Sequence, residues 1–231
     1  MHVAARNLGL TVAAIAAAWS FSSFGYFRLE PVLGAEVGYN DAPVAFALYY
    51  AGWSVAVFLV FRGTFRDGAD LTPEPLRLAA VAALIAAFLA FALLVVPRLP
   101  VSEWTRTNSP VEFFWATSWY VLPKSVEILF QQLLIAALVL ALANTGLRLW
   151  KISALVALLF GGFHLTLALS YPNPFYVMRY SVAAALFGAI VPWLLLRVRH
   201  GFLASYTIHW VYYAIDIVVI RYTFAAAAEG G

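Results

Sequence analysis

The chain has no cysteine, and only 11% of its 231 residues are charged. The absence of cysteine excludes disulfides, thiolate nucleophiles, cysteine-ligated zinc and iron–sulfur clusters. Soluble domains contain about 25% charged residues. The low charge therefore excludes a water-soluble fold and, with it, nucleic-acid binding as the main activity.

The chain is instead rich in hydrophobic residues, which make up 64% of it and give a mean hydropathy of +0.87. A helix that crosses a membrane needs about 20 apolar residues, and seven stretches approach this length between breaks that contain proline, glycine or basic residues. They are residues 8–27, 44–61, 78–96, 125–143, 152–171, 180–196 and 202–220. The sequence therefore predicts an all-α, polytopic transmembrane bundle of about seven spans that forms one integral membrane domain over residues 1–231.

The segments between the spans predict orientation and one unusual connection. Basic residues concentrate on the cytoplasmic side of membrane proteins. With the N-terminus inside, eight Lys and Arg residues lie in inner segments and six in outer segments, which favours this orientation slightly.

The connection 97–124 is unusually aromatic, with Trp104, Phe113, Phe114, Trp115, Trp119 and Tyr120. Since Trp and Tyr settle at the headgroup level, we expect an interfacial amphipathic helix there; the alternative is a lid or gate beside a site.

Asp216 lies near the end of the last predicted span, and three further ionisable residues stand inside the spans: Glu127, His164 and His209. Such residues are costly in a bilayer, so each is a functional-site hypothesis. The alternative for each is structural, namely a hydrogen-bonded packing histidine or a paired carboxylate. Three helices would each offer a polar face, and we expect one cavity to hold all three side chains.

Helical spacing adds supporting residues to this set. Glu127 and Gln131 are four residues apart and share a helix face. Phe160 and His164 have the same spacing, beside two glycines that allow close approach. The last span carries a polar stripe of Ser205, His209, Tyr213 and Asp216. For Asp216 the structural alternative is a local pair with Arg221.

Such a set of residues can hydrolyse a bond without a protein nucleophile. The glutamate is a candidate general base for water, one histidine could position that water, and the other could donate to a developing oxyanion. The His-Glu-x-x-His zinc motif is absent, and a second intramembrane aspartate for aspartyl catalysis is also absent. One Glu with two His would also suit zinc with water in the fourth position, which makes Glu127, His164 and His209 an alternative metal site.

The order of these residues over about 110–220 resembles the CAAX-protease and bacteriocin-processing family of intramembrane glutamate proteases. The family's Glu-Glu-x-x-x-Arg motif is matched by Glu127, with Val126 at the first Glu position and Gln131 at the Arg position. A register shifted by one residue would instead place Glu127 at the first Glu position and Gln132 at the Arg position. Its Phe-x-x-x-His motif is matched by Phe160 to His164. Its His-x-x-x-Asn motif is matched in part by His209, with Tyr213 replacing the Asn.

The resemblance implies a divergent endopeptidase of a prokaryotic cell membrane that needs no cofactor. Glu127 and His164 would activate water, His209 would stabilise the oxyanion, and Gln131 would organise the site as the family's Arg does. The substrate would be a membrane-associated peptide or protein, such as a lipidated C-terminus, a leader or a sorting tail.

Two other functions stay open. The first is a catalytically inactive member of the same fold that binds a membrane peptide or partner protein. The second uses His164 and His209 as axial haem ligands, or Glu127 with Asp216 as a proton relay.

Overall fold

The computed structural model describes residues 2–35, 38–68, 75–100, 115–169 and 174–228. Within these ranges the chain forms helices and turns and no strand. The α-helices are α1 His2–Val32, α2 Pro43–Val60, α3 Arg62–Gly68, α4 Pro75–Ala90, α5 Val121–Ala143, α6 Leu149–His164, α7 Pro174–Arg197 and α8 Gly201–Ala228. The predicted all-α class is confirmed.

Six helical segments of the described chain are long and apolar enough to cross a membrane: Leu8–Val32, Pro43–Val60, Pro75–Arg98, Ser118–Ala143, Val177–Arg197 and Gly201–Thr223. A seventh, shorter apolar helix is Leu149–His164. Together they match the expected bundle of about seven spans. The protein is therefore an integral membrane protein by the length and composition of its helices.

Helix boundaries differ from the predicted spans in two informative places. The fifth predicted span, 152–171, is α-helical only to His164 and continues as a 3-10 helix, Leu165–Leu169. The fourth begins earlier than expected, because a 3-10 turn at Ser118–Tyr120 leads into α5 at Val121. Pro123 lies in the first turn of α5, where the missing N–H of a proline costs nothing.

The connection 97–124 is only partly described. Its residues 101–114 lie outside the described residues, so the interfacial helix and the lid both stay predictions. Its last four residues belong to α5. Before them, Ala116 and Tyr120 are fully buried, which shows that this end of the connection packs inside the protein.

At its end, α4 changes its hydrogen-bond pattern. It continues as a π-helical turn, Phe91–Val95, and then a 3-10 turn, Val96–Arg98. No residue of α4 itself is buried, whereas Ala92, Val96 and Leu99 are at most 7% exposed. The π-helical turn thus marks the point where this span passes from an open surface to a packed one.

The chain divides into two compact units, each assembled from three separate stretches of sequence. Unit 1 contains Met1–Ala17, Val60–Asp70 and Gln132–Ser205, and unit 2 contains Ala18–Leu59, Leu71–Gln131 and Tyr206–Gly231. Both α5 and α8 contribute residues to each unit. The single membrane domain over 1–231, with a family-like core at about 110–220, stays a prediction.

Unit 1 is built on the close approach of α6 and α7. A Cβ on Gly161 would lie 2.8 Å from the Cβ of Ala185, and a Cβ on Gly188 would lie 2.9 Å from the Cα of Ala157. Carbon atoms normally stay 3.5–4.0 Å apart, so only glycine fits at these two positions. The two pairs also show that the helices run antiparallel.

Unit 2 contains an aromatic cluster centred on Tyr39, in the 3-10 turn Gly38–Asn40. Its ring centroid lies 5.3 to 6.0 Å from those of Tyr26, Phe46, Tyr50 and Tyr120. Aromatic pairs at such separations stabilise each other beyond the area that they bury. The cluster fixes Tyr39, only 3% exposed, beside the site described next.

Candidate functional site

The candidate site begins with three polar side chains on the first half of α5, in unit 2. Lys124 Nζ lies 2.8 Å from Glu127 Oε2 and forms an ion pair with it. Gln131 Nε2 donates to the other carboxylate oxygen, Oε1, also at 2.8 Å. The spacings of three and four residues put all three on one helix face. The shared face of Glu127 and Gln131 is as the sequence predicts.

The ion pair is largely withdrawn from the surface. The Lys124 and Glu127 side chains are 11% and 14% exposed, and Gln131 is buried. Lys124 Nζ also lies 4.2 Å from the ring centroid of Tyr213 and 5.9 Å from that of Tyr39. A cation over an aromatic face within about 6 Å is attracted to it. The ammonium is thus held by a carboxylate and by two rings.

His209 and Tyr213 extend the site along α8. Their rings stack with centroids 5.4 Å apart and an angle of 28° between the planes, as the spacing of four residues allows. Both side chains are buried. A series of direct contacts therefore joins Gln131, Glu127, Lys124, Tyr213 and His209 within unit 2.

Ser125 ties α5 to α8 beside this series. Trp210 Nε1 donates to Ser125 Oγ at 2.9 Å, and Tyr206 Oη donates to the Ser125 carbonyl oxygen at 2.9 Å. The Trp210 ring stacks on Phe88 of α4, with centroids 3.9 Å apart. These contacts fix the rotation of both helices, and with it the direction in which their polar residues point.

A small cavity opens beside Lys124. Its volume is about 10 Å³, and its lining includes Lys124 and the rings of Phe91, Tyr120, Trp210 and Tyr213. A single water needs roughly this much room and at least two polar partners. The surface that lines this cavity is mostly apolar, so it offers a water few polar partners.

His164 belongs to unit 1. Its Nδ1 lies 2.8 Å from the carbonyl oxygen of Phe160; a carbonyl only accepts, so Nδ1 carries the proton and donates. The two rings also meet edge to face at 4.8 Å. The predicted pairing of Phe160 with His164 on one face is therefore present, whereas the single cavity holding Glu127, His164 and His209 stays a prediction.

Asp216 is buried on α8, at 6% exposure. Arg221, its predicted local partner, is buried to the same extent and donates from Nη2 to the carbonyl oxygen of Ala116 at 3.2 Å. Arg221 thus binds the segment that leads into α5. A role for Asp216 in the site stays a prediction.

Metal and haem chemistry gain no further support. Among the residues that the structure describes, no three His, Asp or Glu side chains are grouped so that they could hold a metal ion. The alternative zinc set of Glu127, His164 and His209 draws on both units and stays a prediction. His164 and His209 belong to different units, and their pairing on a haem stays a prediction.

Lys124 stands one helical turn before Glu127 in the sequence, but it is not among the site residues that the sequence predicts. A lysine three residues before a glutamate was a usable signal, because that spacing permits an ion pair on a helix. The contribution of Tyr39 had no comparable signal.

Comparison of the chain with family models, curated proteins and solved structures finds no match.

Proposed function

We propose that the chain is an intramembrane peptide hydrolase in which Glu127 is the general base. The observation that carries the proposal is the Glu127 carboxylate, held between an ammonium and an amide with 2.8 Å contacts. A catalytic group has to be fixed in one geometry to act efficiently. Lys124 and Gln131 supply that positioning, Gln131 doing part of what the arginine does in the CAAX-protease family that the sequence resembles.

Glu127 retains the capacity to bind a water. A carboxylate has about four lone-pair sites, and the two contacts above engage one on each oxygen. The side chain is 14% exposed, which leaves space for a single water beside it but not for bulk solvent. In the proposed step, Glu127 removes a proton from this water, the hydroxide attacks the scissile carbonyl carbon, and the departing amine receives the proton from Glu127 as the C–N bond breaks.

His209 is the proposed stabiliser of the oxyanion that forms on the carbonyl oxygen. Its imidazole can donate a hydrogen bond, and a fixed donor aimed at developing charge is among the strongest contributions to catalysis. Stacking on Tyr213, which also contacts Lys124, fixes His209 in the same unit as the base. The proposed substrate is a membrane-associated peptide segment, because the site lies on membrane-spanning helices.

A second candidate is a non-catalytic protein that binds a membrane peptide or partner. The pairing of Glu127 with Lys124 favours it, since a mutually neutralised pair can serve recognition through hydrogen bonds alone. Val126 favours it as well, because the resembling family has its first glutamate at that position.

The two candidates are distinguished by Glu127→Gln, which keeps the shape and a hydrogen-bonding oxygen but removes the base. Membranes containing the wild-type chain, E127Q or the matched control E30Q are compared by mass spectrometry of newly formed peptide termini. For a hydrolase, wild type and E30Q produce the same new termini in membrane-associated peptides, and E127Q produces none. Identical termini in all three samples would rule out hydrolysis by Glu127 and leave the binding function.

A further inference from the structure

The end of the α6–α7 hairpin where α6 begins and α7 ends carries three exposed basic residues: Arg148, Lys151 and Arg197. We call this the basic end. The 74 residues from 132 to 205, which form most of unit 1, contain no Asp or Glu. Unit 1 also contains Asp67 and Asp70, in a separate stretch of the sequence, but the hairpin itself contributes only basic charge to this end.

The packing of the hairpin brings these charges to one place. The close approach of Gly188 to Ala157 sets the register of the antiparallel pair. Arg148 lies nine residues before Ala157, toward the start of α6, and Arg197 lies nine residues after Gly188, toward the end of α7. The same register therefore places the two arginines level with each other. Lys151 lies within one helical turn of Arg148, so the charges form a compact patch.

Two exposed tryptophans give the depth of this patch in the bilayer. Trp150, at the start of α6, is 64% exposed, and Trp193, in the last turns of α7, is 51% exposed. Exposed tryptophans of membrane proteins lie at the headgroup level. Lys151 Nζ is 5.5 Å from the ring centroid of Trp150, which keeps its charge at the same level.

We propose that the basic end binds the phosphate headgroups of anionic phospholipids in one leaflet. Arginine presents a planar set of donors that matches phosphate oxygens in bidentate pairs. Basic residues at the membrane surface attract anionic lipids, and each one strengthens binding about fivefold. With no acid between residues 132 and 205, the patch prefers phosphatidylglycerol to the net-neutral phosphatidylcholine. This site is separate from the proposed hydrolysis, and neither proposal depends on the other.

The test uses the full chain in nanodiscs made from equal amounts of phosphatidylglycerol and phosphatidylcholine. Native mass spectrometry measures which lipids remain bound when the nanodisc is stripped away. Arg148→Gln with Arg197→Gln is expected to lower the preference for phosphatidylglycerol roughly tenfold or more. The matched pair Arg28→Gln with Arg98→Gln, also exposed arginines, should leave it unchanged.

The charge-conserving double variant R148K/R197K should keep the part of the preference that comes from charge and lose the part that comes from bidentate pairing. Equal retention of both lipids by the wild type overturns the proposal. An equal loss in the two Gln variants also overturns it, because the effect would then follow total charge. Displacement of the lipid by millimolar inorganic phosphate would indicate a site for a free anion instead.

Discussion

The ion pair of Lys124 and Glu127 leads to a prediction about stability that can be checked without a substrate. In Lys124→Met the carboxylate loses its 2.8 Å partner and keeps only the Gln131 amide. Both side chains are less than 15% exposed, so water replaces the ammonium poorly. Removing one member of a buried pair costs about 3–5 kcal/mol, and we expect K124M to lower the free energy of unfolding by this amount.

The sharper expectation concerns the double variant K124M/E127Q. Glu127→Gln alone keeps an oxygen that accepts from Lys124, and we expect a loss of about 1–3 kcal/mol. The double variant buries no charge, so it should be more stable than K124M alone. If the two substitutions acted independently, the second would lower the free energy of unfolding further. A gain in stability therefore shows that Lys124 and Glu127 interact.

Unfolding in mixed micelles, followed by the fluorescence of the eight tryptophans, gives the free energies for this cycle. Lys151→Met is the matched control: Lys151 is exposed and also contacts a ring, and its loss should change stability by less than about 0.5 kcal/mol. The reasoning is wrong if K124M is as stable as K151M, or if adding E127Q lowers the stability of K124M further.

Two further predictions concern packing in unit 1 and use the same unfolding measurement. Gly161→Ala puts a Cβ 2.8 Å from that of Ala185 and should lower the free energy of unfolding by about 1–3 kcal/mol. The neighbouring Gly162 has open space around it, so Gly162→Ala should raise the free energy of unfolding by up to about 1 kcal/mol through helix propensity. Equal stabilities of the two variants would contradict the tight packing of α6 on α7. Ser205→Ala removes the acceptor of the fully buried Gln132 amide, 2.5 Å away, and should cost about 1–3 kcal/mol. Adding Gln132→Met should recover part of that loss, and a further loss would argue against the hydrogen bond.

The spans were predictable because lipid imposes a local requirement on the sequence. A crossing helix must be apolar along its length, and hydropathy alone located the described membrane helices. It could not locate the end of α6 at His164, because the residues on either side of this point are equally apolar. Composition determines whether a segment lies in the membrane. The change from α-helical to 3-10 hydrogen bonding at Leu165 is a change in backbone conformation, which the hydropathy of the residues does not determine.

The polar face of α5 was predictable for a similar reason, and its surroundings were not. The spacing of Glu127 and Gln131 places them together on any helix, and their hydrogen bond is present. The rings over Lys124 come from Tyr39 and Tyr213, far away in the sequence. Such contacts arise only when distant helices pack, and a single sequence carries no signal for them.

The π-helical turn Phe91–Val95 has a consequence for the tolerance of the gene to insertions and deletions. A π turn holds one residue more than an α turn, so losing one residue there would restore regular α-helix. The ends of this turn would then stay about one turn apart, so Val96 and Leu99 would keep their direction. A deletion within the regular helix α4 would instead rotate both residues by about 100°, away from the neighbours that bury them. A one-residue deletion is therefore expected to be tolerated better at Phe91–Val95 than in the regular helix before it.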